Sequence, residues 1–195
     1  NETTGLSIEK EYDSFSNVLR EEDSEGRTTI YTYDDYHRLV ETEDAYGRVQ
    51  TSVYDDFQHV IEETSFTGET TKNVYDEHQD LVSSVDGNGN ETTYIYDGQH
   101  RLLQSTYHDI VTSYTYDALG RTIAIHTSHD DKSTYTAYDA KGNVISETDK
   151  NGNTVTHAYD GKNQEISTTD GRGNTSTKEY DAFGNIIKET DANGN

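Results

Sequence analysis

Three acidic segments have the oxygen-rich composition that a calcium loop needs. They are Asp86–Asn90, Asp149–Asn153 and Asp191–Asn195. Their Asp and Asn residues stand at alternate positions, and Ca²⁺ is bound by oxygen ligands of this kind. However, the segments lack the downstream bidentate glutamate of an EF-hand and the short sequence period of calcium β-rolls. Plain hairpin turns explain the same residues, so we predict neither a metal nor another cofactor.

The other residue types that perform catalysis are scattered without a shared spacing. His37, His59, His78, His100 and His126 stand at no fixed distance from a common partner, so no shared metal-binding or catalytic role is predicted. The 38 acidic residues make chance carboxylate pairs common, and no glycosidase pair can be singled out. The sequence also contains no phosphate-binding loop, nucleophile elbow or zinc signature. We therefore predict that the protein is not an enzyme.

The composition is polar and strongly acidic. The 15 basic and 38 acidic residues give a net charge of -23, and only 29% of the residues are hydrophobic. This charge disfavours partners with phosphate groups, so we predict no binding to nucleic acid or anionic lipid. No apolar run is long enough to insert into a membrane. The chain also lacks cysteine, and therefore disulfides, and lacks proline, which is excluded from central strands.

The dipeptide Tyr-Asp recurs at an almost constant spacing of about 21 residues. A period of this length indicates one small supersecondary unit that is copied end to end. We interpret these residues as a structural repeat signature without a catalytic role. The nine pairs are Tyr12-Asp13, Tyr33-Asp34, Tyr54-Asp55, Tyr75-Asp76, Tyr96-Asp97, Tyr116-Asp117, Tyr138-Asp139, Tyr159-Asp160 and Tyr180-Asp181.

Each copy contains two turn zones and two short segments between them. An aliphatic residue follows every repeat tyrosine by seven positions, and a glycine follows most of them by fourteen, with Gly5 in the same phase before the first copy. The segments between the turn zones have strand length and are rich in Thr, Val, Ile and Tyr. Each copy is therefore predicted to be a β-hairpin that buries its apolar face against its neighbours. The aliphatic residues are Leu19, Val40, Ile61, Val82, Leu103, Ile123, Ile145, Ile166 and Ile187.

The turn zones carry residues suited to two different tasks. Asn88-Gly89, Asn151-Gly152 and Asn193-Gly194 predict two-residue hairpin turns in which both residues take a positive φ. The aspartate after each repeat tyrosine is expected to accept nearby backbone N–H groups and close the opposite turn. Two copies are irregular, at 107–109 and 129–132, and we expect an altered turn or bulge there.

Several segments resemble the signature of the Rhs/YD-repeat family. The clearest are Tyr116–Arg121, Tyr33–Leu39 and Tyr180–Asn185, and the pattern covers essentially the whole chain. Gln79-Asp80 and Asn163-Gln164 depart from the Gly-Arg step, which leaves the shape of those individual turns open.

The resemblance implies a fold and a function. Bacterial members of the family, including wall-associated and Rhs polymorphic toxins and the B/C parts of toxin complexes, wind such hairpins into a hollow shell around a C-terminal toxin. Teneurins carry a related shell on animal cells. We therefore expect residues 1–195 to form one repeat array: an all-β, coiled antiparallel sheet that is part of a larger secreted or wall-associated bacterial shell. The self-cleaving segment of these shells is proline-rich, so we expect it to lie outside this chain.

Two other functions stay open at this stage. A binding module could recognise cell-wall or host glycans by stacking sugars on Tyr31, Tyr94 and Tyr114, which share the face of the repeat tyrosines. A surface-displayed fibrous spacer would instead need no partner. The expected partner is thus an enclosed toxin domain of the same polypeptide or, alternatively, a surface glycan.

Overall fold

The computed structural model describes residues 7–195, so Gly5 lies outside the described residues. Their regular structure consists of β-strands, whose high content of β-branched and aromatic residues suits a pleated surface. The strands are β1 (Ile8–Tyr12), β2 (Val18–Asp23), β3 (Thr28–Tyr33), β4 (Leu39–Glu43), β5 (Val49–Tyr54), β6 (Val60–Thr64), β7 (Thr70–Tyr75), β8 (Leu81–Val85), β9 (Glu91–Tyr96), β10 (Leu102–Tyr107), β11 (Ile110–Tyr116), β12 (Thr122–Thr127), β13 (Lys132–Tyr138), β14 (Val144–Thr148), β15 (Thr154–Tyr159), β16 (Glu165–Thr169), β17 (Thr175–Tyr180) and β18 (Ile186–Thr190).

The chain forms two compact units, one ending at Thr93 and the other beginning at Tyr94. The boundary falls within β9. In the first unit each strand from β1 to β8 pairs with the next in antiparallel orientation. The second unit repeats this meander from β10 to β18. The predicted all-β class, built from tandem hairpins of about 21 residues, is confirmed.

A β-bulge stands beside the repeat tyrosine in the described hairpins. In the pair β3–β4, Thr32 lies opposite Glu41 and Tyr33 lies opposite Leu39, so Val40 is an extra residue without a partner. The same shift occurs beside Tyr12, Tyr54, Tyr75, Tyr116, Tyr138, Tyr159 and Tyr180. The aliphatic residue seven positions after the tyrosine is therefore the bulge residue. The sequence had predicted the aliphatic row but not the bulge.

Within residues 7–195, no side chain is fully buried. The predicted burial of the apolar residues against neighbouring copies is thus only partial. Val53, Val74 and Ile95 remain about half exposed, at 49%, 55% and 54%, because each stands on a sheet face that no second layer covers. Stability must therefore come largely from contacts within the sheet and at its turns.

The turns that contain the repeat glycine differ from the predicted two-residue type. In the turn at 149–153, the Gly152 N–H donates to the Asp149 carbonyl and the Asp149 N–H donates to the Asn153 carbonyl. Only Gly152 has a positive φ, of 81°, whereas Asn151 does not. This is a type I turn followed by a left-handed bulge residue. The prediction was wrong because Asn-Gly fits either turn, and the aspartate before it selects the longer one.

The two irregular copies use two other turns. His108 and Asp109 both have positive φ, of 46° and 65°, so the β10–β11 connection is a two-residue primed turn. The β12–β13 connection has four residues between the paired Thr127 and Lys132. Its first residue, Ser128, exchanges hydrogen bonds of 2.8 Å with Val111 on β11.

Candidate functional surface: the two kinds of turn

Every Tyr-Asp pair opens a turn that its own aspartate holds together. In the turn after Tyr116, Asp117 Oδ1 accepts the N–H groups of Leu119 and Arg121 at 2.9 and 3.0 Å. Asp117 Oδ2 accepts the Arg121 Nε–H group at 2.7 Å. The carboxylate thus replaces strand pairing for the backbone groups of the turn. We name these nine turns the Tyr-Asp turns and the fifth residue after each tyrosine the closing residue.

Six of the turns at the other end of the hairpins are also held together by an aspartate. Asp149 Oδ1 accepts the N–H groups of Asn151 and Asn153, and Asp149 Oδ2 accepts the Asn153 Nδ2 group, at 2.8 to 2.9 Å. We name these the glycine turns. The role of their aspartates in closing the turn was not predicted from the sequence, although each stands three residues before the repeat glycine. They are Asp23, Asp44, Asp86, Asp149, Asp170 and Asp191.

Hydrogen bonding lowers the pKa of aspartates in both kinds of turn. In the Tyr-Asp turns, the side chain of Arg101 is the largest cause that holds the pKa of Asp97 below its usual value. In the glycine turns, the side chain of Asn153 is the largest cause that lowers the pKa of Asp149. Each of these carboxylates accepts three hydrogen bonds within its own turn, which is a structural role.

Four repeat tyrosines are hydrogen-bonded to the preceding hairpin. Tyr54 Oη donates to the Leu39 carbonyl at 3.0 Å, and Tyr116 Oη donates to the Leu102 carbonyl at 2.7 Å. Leu39 lies at the bulge of the preceding repeat, and the pairing of its strand, β4, with β5 begins only at Glu41. The tyrosine therefore supplies the hydrogen bond that the ladder does not give this carbonyl. Tyr138 and Tyr180 make the equivalent bond.

Closing residues with long side chains also reach the next repeat. The Arg121 guanidinium carbon lies 4.5 Å from the centroid of the Tyr138 ring, and Arg121 Nη1 donates to the Asp139 carbonyl at 3.1 Å. Arg38 makes the same two contacts, with Tyr54 and with Asp55. Where the closing residue is His59, its ring stacks on Tyr75 at 4.3 Å. Such cation–π and stacking contacts couple one Tyr-Asp turn to the next.

The two kinds of turn differ in the residue type at the position with a positive, left-handed φ, which we call the left-handed position. The residue before the closing residue has a positive φ in all nine Tyr-Asp turns, yet it is a glycine only at Gly120, Gly142 and Gly184. In the regular glycine turns the equivalent residue is always glycine. A side chain in the Tyr-Asp position finds neighbours: the His37 ring lies 4.1 Å from Phe15, and Asn163 Oδ1 accepts from Asn143 Nδ2 at 3.3 Å.

The remaining candidates from the sequence do not converge on a reactive centre. In the three calcium-like segments, the carboxylate oxygens already accept hydrogen bonds within their own turns. The described part of the chain contains no group of three His, Asp or Glu residues arranged to hold a metal ion. His126 lies 3.1 Å from Ser133 Oγ and 3.6 Å from Asp131. The His126–Ser133 contact stands where other hairpins have a hydrogen bond between two threonines, such as Thr148 and Thr154 at 2.8 Å.

The rings of the tyrosines considered for sugar stacking are not fully exposed. Tyr31, Tyr94 and Tyr114 are all half-buried, beside the repeat tyrosines on the same face. Burial raises the pKa of Tyr31, and neighbouring Glu21 adds to the rise. Separately, none of the described residues forms a helix that could cross a membrane.

Comparison with known proteins agrees with this repeat geometry. The family model for the RHS Repeat matches residues 12–49, 75–109, 138–175 and 159–195, which together are more than half of the chain. The chain belongs to the RHS repeat family. No curated protein sequence matches it at a significant level.

Several solved structures share the fold of this RHS-repeat chain. The structure of TcdB2-TccC3 without the hypervariable C-terminal region aligns with a TM-score of 0.71 at 17% identity, over 91% of this chain and 12% of that chain. The TcdB2-TccC3-Cdc42 structure aligns with a TM-score of 0.70 at 16% identity, over 90% and 12%. The Photorhabdus luminescens Tc holotoxin pore aligns with a TM-score of 0.68 at 14% identity, over 95% and 14%. This chain therefore spans about an eighth of their length.

Proposed function

We propose that this chain is a non-enzymatic wall segment of a secreted or surface-associated bacterial shell that encloses a toxin domain of the same polypeptide. The observation that carries the proposal is the coupling of successive hairpins through the tyrosine hydroxyl and the closing residue. Such a repeat can be extended hairpin by hairpin into a wall. Under this proposal residues 1–195 are one repeat array within a longer protein.

The proposal gives the Tyr-Asp signature a purely structural role. The aspartates of the pairs close their own turns, and the tyrosines join adjacent hairpins. The likeness to the toxin-complex structures supports a shell but, at this level of identity, concerns the fold alone. A glycan-binding role has no comparable support, because the tyrosines that would stack sugars are half-buried.

Protease protection of the whole gene product that contains this chain tests enclosure. We expect any domain that follows the repeats to resist protease while the folded shell is intact and to be cleaved after mild denaturation. Substituting Tyr116 and Tyr138 by alanine should open the wall and expose that domain. Equal cleavage of the domain before and after denaturation would contradict enclosure while leaving the repeat fold itself intact.

A further inference from the structure

The first three Tyr-Asp turns carry a row of exposed aromatic rings. Phe15, Tyr36 and Phe57 stand at the same position, three residues after a repeat tyrosine, and are 67%, 79% and 65% exposed. Consecutive hairpins in one unit place these turns side by side. Contiguous exposed apolar groups of this kind mark interaction surfaces more often than isolated ones do.

The rings are held in place by neighbouring side chains. The Phe15 ring centroid lies 4.1 Å from that of His37, and the Arg38 guanidinium carbon lies 5.2 Å from the Tyr36 centroid. The Phe57 ring lies 6.4 Å from His59. A ligand would therefore meet rings that are already ordered, which lowers the entropic cost of binding.

The carboxylates beside these rings are available to a cation. We call the residue three positions after a repeat tyrosine the tip of its turn. Asp35 and Asp56 are exposed, and each directly precedes an aromatic tip residue. Within residues 7–195 their side chains have no hydrogen bond or ion pair. Asp35 and Phe15 also line one shallow depression between the first two turns, together with His37. Aromatic faces and carboxylates both attract cations.

In the second unit, two lysines stand at the sequence position that the rings occupy in the first unit. Lys141 and Lys162 occupy the tip position there, and each ammonium group reaches the next Tyr-Asp turn. Lys141 Nζ donates to the Gly161 carbonyl at 2.9 Å, and Lys162 Nζ donates to the Ala182 carbonyl at 3.2 Å. In the first three Tyr-Asp turns the residues at this position, Phe15, Tyr36 and Phe57, carry no charge, so they supply no ammonium group to the turn that follows.

We propose that the row of Phe15, Tyr36 and Phe57 binds an extended polypeptide segment that carries lysine or arginine at every third residue. Successive tips are about 10 Å apart, because each hairpin adds two strand spacings of about 4.8 Å. A polyproline II segment advances about 9 Å per three-residue turn and so presents one side chain to each tip. Its cationic side chains lie over the rings and meet Asp35 and Asp56.

Calorimetry with a synthetic peptide of repeated Lys-Pro-Pro triplets tests this proposal. We expect binding that weakens with added salt, and that weakens about tenfold when Phe15, Tyr36 and Phe57 are all changed to serine. A peptide of equal composition with its lysines in one block should bind more weakly than the triplet peptide. Because the substituted rings are exposed, circular dichroism should show the strands unchanged.

Two further variants distinguish peptide binding at the ring row from general attraction of the cationic peptide to the acidic protein. Tyr46→Ser removes an aromatic tip, 77% exposed, from a glycine turn and should leave peptide binding unchanged. Asp35→Asn with Asp56→Asn keeps the rings and should still weaken binding several-fold. The proposal is overturned if the triple serine variant binds the peptide as tightly as the unmodified protein. It is also overturned if the triplet peptide fails to bind, and binding of a neutral glucose oligosaccharide to the ring row in its place would indicate a glycan site instead.

Discussion

The Tyr-Asp turns and the glycine turns are built on one hydrogen-bonding plan but differ in what surrounds it. Where an aspartate opens the turn, as at Asp117 and Asp149, it accepts two backbone N–H groups and a side-chain donor from the residue four positions after it. In the Tyr-Asp turns, closing residues such as Arg121 bond the backbone of the next repeat. In the glycine turns, Asn153 bonds within its own turn, and Arg48 approaches the next turn only through the Phe66 ring, at 5.8 Å. One end of each hairpin thus joins repeats through hydrogen bonds to backbone carbonyls, whereas the other end joins them through contacts between side chains, such as Lys150 with Asp130 at 3.3 Å.

This difference explains the unequal use of glycine. A left-handed φ costs a non-glycine residue roughly 1 kcal/mol or more. At the Tyr-Asp turns the side chain can recover part of that cost through a neighbour, as His37 does with Phe15. At Gly152 an added Cβ would meet no atom within 4 Å. At Gly152, therefore, a methyl side chain would gain no contact to offset the cost of the left-handed φ.

Acidification should produce the largest effect, because it removes the feature that both kinds of turn share. The folded-state pKa of Asp97 and Asp149 lies below the ordinary value. An unfolded aspartate titrates near about 3.9. The stabilisation is thus fully present above that pH and is lost as the pH falls through the lower folded-state pKa. We expect circular dichroism to show loss of strand structure below about pH 4, and a full strand signal at pH ~2 would contradict this role.

Removing a repeat tyrosine should cost more than removing an exposed tyrosine of a glycine turn. Tyr138 bonds the Thr122 carbonyl and lies under Arg121, so we expect Tyr138→Ala to lower the free energy of unfolding in urea by about 2 kcal/mol. Tyr46→Ala is the matched control and should change it by less than about 0.5 kcal/mol. Equal losses from the two substitutions would remove the distinction between the turns.

Substitutions at the position with a positive φ should change the free energy of unfolding by different amounts in the two kinds of turn. Gly152→Ala introduces a side chain at a φ of 81° without a new contact, and we expect a loss of about 1 to 2 kcal/mol in urea unfolding. Gly142→Asn should be close to neutral, because Asn163 adopts the same conformation in the next Tyr-Asp turn and bonds Asn143. The explanation fails if Gly142→Asn is as costly as Gly152→Ala.

Removing only the hydroxyl of a repeat tyrosine should give the smallest effect. Tyr116→Phe keeps the ring over which Arg101 lies but leaves the Leu102 carbonyl without its donor. We expect a loss of about 1 kcal/mol in the free energy of unfolding. Tyr46→Phe, on a turn tip, serves as the control and should have no measurable effect. A neutral Tyr116→Phe would show that water satisfies the carbonyl equally well.

The sequence predicted the parts of the fold that depend on periodicity. The spacing of Tyr-Asp and glycine located the hairpins, and the aspartate after each tyrosine pointed to the turn that it closes. The bulge at Val40 was not predicted, although the adjacent aliphatic residues Leu39 and Val40 interrupt the strict alternation of a regular strand. The bond from Tyr54 to Leu39 depends on that bulge, and so became visible only in the structure.

The central claim is that the Tyr-Asp turns couple consecutive repeats energetically. A double-mutant cycle of Arg121→Gln and Tyr138→Leu, followed by urea unfolding, measures that coupling directly. From the 4.5 Å approach of the guanidinium carbon to the ring centroid, we predict a favourable coupling energy of about 0.5 to 1 kcal/mol. Strictly additive single substitutions, with no coupling energy, would contradict the account.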